Sequence, residues 1–179
     1  GTGLTKLSQQ YHEIIREHIC RGAYKHAKRP ILINNWEATY FDFNEEKILK
    51  IAEQAQKLGI EMLVLDDGWF GKREDDNSGL GDWFVNEKKM NGSMAQLAEK
   101  IHKMGMKFGL WFEPEMISED SDLYRAHPDW AFAIPGRVPN HSRNQLVLDM
   151  TREDVREYLL ERLTTIVHDA KIDYVKWDM

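Results

Sequence analysis

Acidic, basic and indole side chains stand at the ends of four apolar stretches of this chain. They are the indole of Trp36, the neighbouring carboxyls of Asp66 and Asp67, the pair Trp111 and Glu113, and the pair Lys176 and Asp178. An enzyme that cleaves glycosidic bonds usually needs two carboxyl groups flanking the bond, and a retaining enzyme uses one of them to attack the anomeric carbon. Charged side chains hold sugar hydroxyls through charge-assisted hydrogen bonds, while an indole face covers the apolar side of a pyranose. The residue types therefore predict chemistry on a sugar.

Asp178 follows Lys176 at the end of the stretch that begins Tyr174-Val175. A nearby ammonium group favours the ionised carboxylate, which is the form that a nucleophile needs. The same Lys-x-Asp pattern also occurs as an ion pair at a strand end without any catalytic role. The motif alone leaves both interpretations open.

Asp66 and Asp67 are adjacent acids at the end of an apolar stretch. Their mutual repulsion opposes folding, so such a pair persists more easily when a ligand or cations use it. A metal site is the competing interpretation, with Glu113 and Glu115 as further oxygen ligands. It is less favoured, because no histidine belongs to this set and a hard cation needs more oxygen atoms nearby.

The remaining candidates have simple structural alternatives. Trp36 and Trp111 are also typical of core aromatic residues, and Asp82-Trp83 is interpreted as a loop element near the site. Arg143 is either a surface residue or a planar fork for sugar hydroxyls or a carboxylate.

The elements that must position these residues alternate between strand and helix patterns. Strands are predicted at 31–36, 62–67, 107–112 and 174–179, and helices at 7–20, 44–58, 93–104 and 151–167. Such alternation requires parallel strands with right-handed crossovers. The predicted fold class is α/β, a partial and truncated (β/α)8 TIM barrel with about the first four βα units. In a barrel the carboxyl ends of the strands converge on one face, which would gather the polar side chains listed above.

Finer features are predicted from turn and cap residues. Asn44, Ser93 and Thr151 are predicted N-caps, Thr151 with Asp154 three residues later, and Gly59 and Gly105 are predicted helix ends. Residues 131–134 and 145–149 are predicted to form a hairpin around the turn-rich segment 135–140.

Composition limits the possible partners. With 179 residues, 42% of them apolar, and a net charge of −6, the chain fits one globular domain and argues against a nucleic-acid partner. The basic residues between Arg21 and Arg29 are interpreted as a solvated linker surface. No apolar run approaches the ~20 residues that span a bilayer, so no membrane association is expected. The single cysteine, Cys20, excludes an internal disulfide and fits a reducing, cytoplasmic compartment.

Taken together, the motifs resemble the family 36 glycoside hydrolases, the large α-galactosidases (melibiases) typical of bacteria. The resemblance rests on Leu32-Ile33-Asn34-Asn35-Trp36-Glu37-Ala38-Thr39-Tyr40-Phe41, Leu65-Asp66-Asp67-Gly68-Trp69-Phe70, Trp111-Phe112-Glu113-Pro114-Glu115-Met116 and Val175-Lys176-Trp177-Asp178-Met179. It implies that residues 30–179 form the N-terminal half of the catalytic barrel. Residues 1–29 would be a helical linker from an absent N-terminal β-domain. The missing initiator Met also suggests a start inside a longer protein.

The resemblance implies specific roles for the candidate residues. Asp178 would be the nucleophile, and a second carboxyl beyond Met179 would be the acid/base. Sugar binding would fall to Trp36, Asp66, Asp67, Trp111, Arg143 and Lys176. Asp66 and Asp67 would hold the galactose 4- and 6-hydroxyls. No metal or organic cofactor is expected.

The substrates implied are α-galactoside oligosaccharides of the melibiose and raffinose type, cleaved by double displacement in a full-length homo-oligomer, a tetramer by resemblance. This chain alone is predicted to be inactive. Three alternatives stay open: a galactosyltransferase of the raffinose-synthase type, a non-catalytic carbohydrate-binding barrel fragment, and a metal-dependent barrel hydrolase.

Overall fold

The computed structural model describes residues 3–139, 141 and 143–179, in two compact units, Gly1–Pro30 and Ile31–Met179. Of the predicted features, the first two residues of the 1–29 segment and the last residue of the turn at 135–140 lie outside the described residues, as does Ser142.

The first unit is helical. Helix α1 spans Leu4–Ile14 and continues as a π-helical turn over Ile15–Ile19, and a 3-10 turn follows at Gly22–Lys25. None of these three elements contains a buried residue. Lys25 pairs with Glu17 at 2.6 Å, and Arg21 and Arg29 are exposed, as expected for a solvated surface.

The second unit is built on a sheet of four parallel strands in the order β1-β2-β3-β6. The strands are β1 (Leu32–Asn34), β2 (Met62–Leu65), β3 (Lys107–Phe112) and β6 (Tyr174–Trp177). The prediction of an α/β fold with parallel strand pairing is confirmed.

Three longer helices connect these strands. They are α3 (Glu45–Lys57), α4 (Met94–Lys103) and α6 (Glu153–Asp169), and the shorter helices are α2 (Trp36–Thr39) and α5 (Asp122–Ala126). Two predicted caps are confirmed. The Asn44 side chain accepts from the Lys47 N–H, and Ser93 forms a reciprocal capping box with Gln96. Among the described residues, no helix is long and apolar enough to cross a membrane.

The predicted Thr151 cap is wrong. Helix α6 begins at Glu153, and the residue before it, Arg152, provides no side-chain cap. The Thr151 hydroxyl instead donates to Asp149 Oδ1 at 2.6 Å. The Asp154 carboxylate that would have completed the box is paired with the Arg152 guanidinium at 2.7 Å.

The predicted hairpin is confirmed only at its base, where the Phe132 N–H donates to the Val147 carbonyl oxygen, and the main strand partner of 145–149 is a different segment. Strand β5 (Gln145–Val147) pairs antiparallel with β4 (Met116–Ser118), whereas 131–134 contributes one isolated bridge, between Ala131 and Leu148. The physical reason is burial, because the pairing of Ile117 with Leu146 places both side chains in the core, while residues 132–139 are all exposed.

The first strand differs from prediction as well. The stretch 31–36 was expected to be a buried strand, but β1 ends at Asn34, and Ile31 and Leu32 are 54% and 44% exposed. It pairs only with β2 within the described sheet, so it lies at an edge. Trp36 therefore starts α2 instead of ending a strand.

The core lies between the sheet and helices α3 and α4, with β2 and residues Phe108–Phe112 of β3 buried at its centre. A second apolar layer is formed by the aromatic residues Trp69, Phe70, Trp83, Trp111 and Phe112, whose ring centroids lie 4.5–6.2 Å apart. This layer packs at the end of the sheet where the polar side chains stand.

Candidate active site

The strand register brings the candidate residues to one level of one sheet face. Gly109 is paired with Val64 on β2 and with Tyr174 on β6, and Trp111 is paired with Lys176. Because side chains alternate along a strand, residues two positions apart share a face. Asp66, Trp111 and Lys176 lie two positions after Val64, Gly109 and Tyr174, respectively. They therefore project to the same side, at the carboxyl ends of the strands.

Asp66 is held from both flanking sides of the sheet. Its carboxylate is 3% exposed and accepts hydrogen bonds from the Lys176 ammonium at 2.8 Å and from the Asn34 side-chain amide. Its backbone N–H donates to the Asn35 side chain at 2.8 Å, and Asn34 also accepts from the Trp36 N–H at 2.8 Å. Sequence reasoning missed the positioning role of both asparagines, although both lie in the motif quoted for the resemblance.

Asp67 is bound by an arginine that sequence reasoning also missed. The Arg73 guanidinium is fully buried and contacts both Asp67 carboxylate oxygens, at 2.9–3.2 Å, and it donates to the Ser78 carbonyl at 2.9 Å. Burial raises the pKa of Asp67, and the Arg73 charge opposes that rise. A lone arginine in a polar loop carries no pattern that would have identified it.

The surroundings of Asp178 favour its ionised form. Its Oδ2 accepts from the Trp111 indole N–H at 3.0 Å and lies 3.8 Å from the Lys176 ammonium, and its Oδ1 accepts from the Met179 N–H. Partial burial would raise the pKa of Asp178, but these contacts, together with the charge on Arg143, lower it overall. Its side chain keeps 44% exposure, so one side remains accessible.

The two predicted tryptophans occupy different settings. Trp111 is 2% exposed, lies parallel to Phe70 at a centroid distance of 6.1 Å, and reaches Asp178 only through its N–H. Trp36 is half-buried and packs edge-on against Tyr40 and Phe41. Trp36 is therefore the one of the two with ring surface open to solvent.

Arg143 lies beside Glu113, a buried acid that follows β3. The Glu113 carboxyl is fully buried and accepts from the Gln145 side-chain amide at 2.7 Å, and Arg143 Nη2 lies 3.6 Å from its other oxygen. Burial raises the pKa of Glu113, while Gln145 and Arg143 lower it in part. The Arg143 side chain is 59% exposed.

Other acids singled out in the sequence lie outside this group. Asp82 accepts from the N–H groups of Asp122 and Leu123 and so caps α5, and Glu115 accepts from the Trp177 indole at 3.0 Å. Within the described part of the chain, no three His, Cys, Asp or Glu side chains converge in a way that could hold a metal ion.

The structure thus joins Asp66, Trp111, Lys176 and Asp178 through direct contacts. Asp67 lies next to Asp66 in the chain, Trp36 is connected through Asn34, and Arg143 contacts Glu113 instead. Two carboxylates, a shared ammonium and an exposed indole surface are the groups needed to hold a sugar ring and attack it.

Comparisons with known proteins point the same way. The bifunctional α-galactosidase/sucrose kinase AgaSK of Mediterraneibacter gnavus is 60% identical over 177 residues, which are 99% of this chain and 19% of that protein. The α-galactosidase AgaA of Geobacillus stearothermophilus is 56% identical over 99% of this chain and 24% of its own length.

Solved structures agree with these relatives. The crystal structure of AgaA matches 99% of this chain and 25% of its own chain, with a TM-score of 0.95 at 56% identity. Variants of AgaA have been solved in complex with raffinose and with stachyose. The chain spans only about a fifth to a quarter of the length of these relatives. A family model described as melibiase matches residues 1–179, and the chain therefore belongs to the melibiase family.

Proposed function

We propose that this chain is part of a longer α-galactosidase and supplies the nucleophile and most of the galactose-binding groups of its active site. Residues 30–179 would form the N-terminal half of a (β/α)8 barrel, and residues 1–29 a linker that follows an N-terminal β-domain. The parallel sheet, the polar residues at its strand ends and the fourfold greater length of the relatives support this proposal.

The observation that carries the proposal is the position of Lys176 between two carboxylates. Its ammonium lies 2.8 Å from Asp66 and 3.8 Å from Asp178. Both acids therefore lie within the reach of one pyranose ring, so one can bind hydroxyls while the other meets the anomeric carbon.

The proposed reaction is a double displacement. An Asp178 oxygen forms a bond to the anomeric carbon while the bond from that carbon to the leaving oxygen breaks, and a second carboxyl outside this chain gives the leaving oxygen its proton. The same carboxyl then takes a proton from water, which displaces Asp178 and releases galactose. The lowered pKa of Asp178 supports the nucleophile assignment, since the ionised form attacks.

The remaining residues would orient the sugar. A carboxylate has about four acceptor sites, so Asp66, with three of them used by Lys176, Asn34 and the Asp67 N–H, can still accept from one galactose hydroxyl. Asp67 would accept from a neighbouring hydroxyl, and Lys176 and Arg143 would donate to others. Trp36 would cover the apolar face of the ring, and Trp111 would hold Asp178 in place.

Raffinose-type α-galactosides are the proposed substrates, because AgaA has been solved with raffinose and stachyose. The relatives described above are named α-galactosidases, which does not favour the transferase alternative. The tetrameric assembly and the cytoplasmic location stay predictions.

The test is Asp178→Ala in the full-length protein, assayed with an aryl α-galactoside. Turnover should be lost while the thermal unfolding midpoint stays unchanged. Asp169→Ala is the matched control, because Asp169 is an exposed acid at the end of α6. Trapping of a glycosyl-enzyme on any residue other than Asp178 would refute the assignment.

The chain by itself is expected to show no turnover with the same substrate. It lacks the second carboxyl of the proposal, and an open half-barrel leaves its sheet edges unpaired. Hydrolysis above background by the isolated 179-residue chain would contradict this expectation.

A further inference from the structure

Glu113 is a buried acid with one unsatisfied oxygen. Its Oε1 accepts from Gln145 at 2.7 Å, whereas Oε2 has no hydrogen-bond partner among the residues that the structure describes. A buried carboxylate oxygen without a partner is costly, so such an atom calls for an explanation.

The nearest described cation is Arg143, whose Nη2 lies 3.6 Å from Glu113 Oε2. Arg143 has a φ of +50°, a conformation that non-glycine residues adopt only when their surroundings hold them there. No other ion pair or side-chain hydrogen bond of Arg143 is present among the described residues. Glu113 is therefore the one acidic side chain within 4 Å of the guanidinium among the described residues.

Both partners of Glu113 come from the start of β5 and the residues just before it. Gln145 is paired with Ser118 at the start of β5, and Arg143 stands two residues before it. One short segment thus brings a donor to each oxygen of Glu113: the Gln145 amide to Oε1 and the Arg143 guanidinium toward Oε2. Asp178 and Arg73 are the other charged groups close enough to influence this carboxyl.

We propose that Glu113 is a positioning residue, which with Gln145 anchors the Arg143 guanidinium at the rim of the site and directs its free donors to the hydroxyls of a bound galactoside. This inference rests on the proposed function. The guanidinium has five N–H donors in a fixed planar fork, so one edge can face Glu113 while the exposed remainder faces substrate. Glu113 acts through Arg143 and does not itself touch the sugar.

The test is a double-mutant cycle in the full-length protein with Glu113→Gln, Arg143→Ala and the combination, measured with an aryl α-galactoside. Glu113→Gln keeps the shape of the side chain and removes its charge. It should raise KM about tenfold with kcat nearly unchanged, because binding is lost and Asp178 remains in place. The KM of the double variant should be no higher than the KM of Arg143→Ala alone, since the glutamate has no role once the arginine is gone.

Glu115→Gln is the matched control, because Glu115 lies two residues away and contacts the Trp177 indole. It should leave KM and kcat unchanged. If Glu113→Gln does not fold, the same cycle is run with Gln145→Met, which removes the hydrogen bond to Glu113 and leaves the carboxyl in place.

The outcomes separate this inference from the proposed function. The positioning role would be overturned if the effects of the two single variants on KM multiply in the double variant. An unchanged KM in Glu113→Gln would overturn it as well. A wild-type protein without α-galactosidase turnover would instead contradict the proposed function.

Discussion

The Lys176 ammonium lies 2.8 Å from the Asp66 carboxylate, although the two residues are 110 positions apart and their strands, β6 and β2, are separated by β3. The contact crosses the central strand at the level of Trp111, two residues after Gly109, the residue that leaves room between Val64 and Tyr174. It ties the proposed sugar-binding acid to the strand that carries the proposed nucleophile.

Replacing Lys176 with Met should lower kcat/KM by about 100-fold in the full-length protein. The change leaves Asp66 without its ammonium partner and removes a charge beside Asp178, and hydrogen bonds to charged groups are each worth about 1.5–3 kcal/mol. Steady-state kinetics with an aryl α-galactoside measure the effect. Lys107→Met is the control, because Lys107 is exposed and lies at the opposite end of β3. Equal losses in the two variants would contradict the assigned role.

Trp111→Phe should move the acidic limb of the kcat/KM profile to higher pH. In the native protein the pKa of Asp178 is lowered overall, in part by the Trp111 N–H, and that hydrogen bond stabilises the ionised carboxylate. Removing the donor raises the pKa of Asp178, so this carboxylate, the proposed nucleophile, becomes protonated at a higher pH than before. Trp177→Phe is the control, because its indole donates to Glu115 instead. If the acidic limb of the Trp111→Phe profile does not move, the Trp111 N–H does not influence the ionisation of Asp178.

Much of the site follows from the sequence because strand periodicity and strand ends are local properties. The apolar runs before Asp66 and before Asp178 predict parallel strands, and parallel strands bring their carboxyl ends to one edge. Sequence patterns do not predict contacts whose partner lies in an irregular loop or in a very short strand. Nothing near Arg73 indicates that it pairs with Asp67, and three residues, Met116–Ser118, are too few to show a strand period.

Arg73→Met should lower the free energy of unfolding by about 3–5 kcal/mol, because it leaves the Asp67 carboxylate buried without its partner. The double variant Asp67→Asn with Arg73→Met should recover part of that loss, since no charge is then left unpaired. Thermal unfolding of the full-length protein gives the comparison.

Arg125→Met serves as the control for that series. Arg125 forms exposed ion pairs with Asp120 and Asp122, and pairs of this kind contribute at most about 1 kcal/mol. If Arg73→Met were no more harmful than Arg125→Met, the buried pair would not be a structural anchor of Asp67.

Gly109→Ala should destabilise the sheet by about 1–3 kcal/mol through overpacking. A Cβ atom at this position would lie 3.0 Å from side-chain atoms of both Tyr174 and Val64. Adding Val64→Ala to the same chain should restore part of the stability, because it removes one of the two clashing groups. A fully stable single variant would show that the neighbours move aside freely.

The exposed residues 132–139 lie between the Ala131–Leu148 bridge and β5, and none of them is buried. Insertions and deletions there can be accommodated by solvent, because the pairing of β5 with β4 independently fixes where the chain returns. The length of this exposed segment can therefore vary, and with it the surface near the proposed site, while the guanidinium of Arg143 stays beside Glu113.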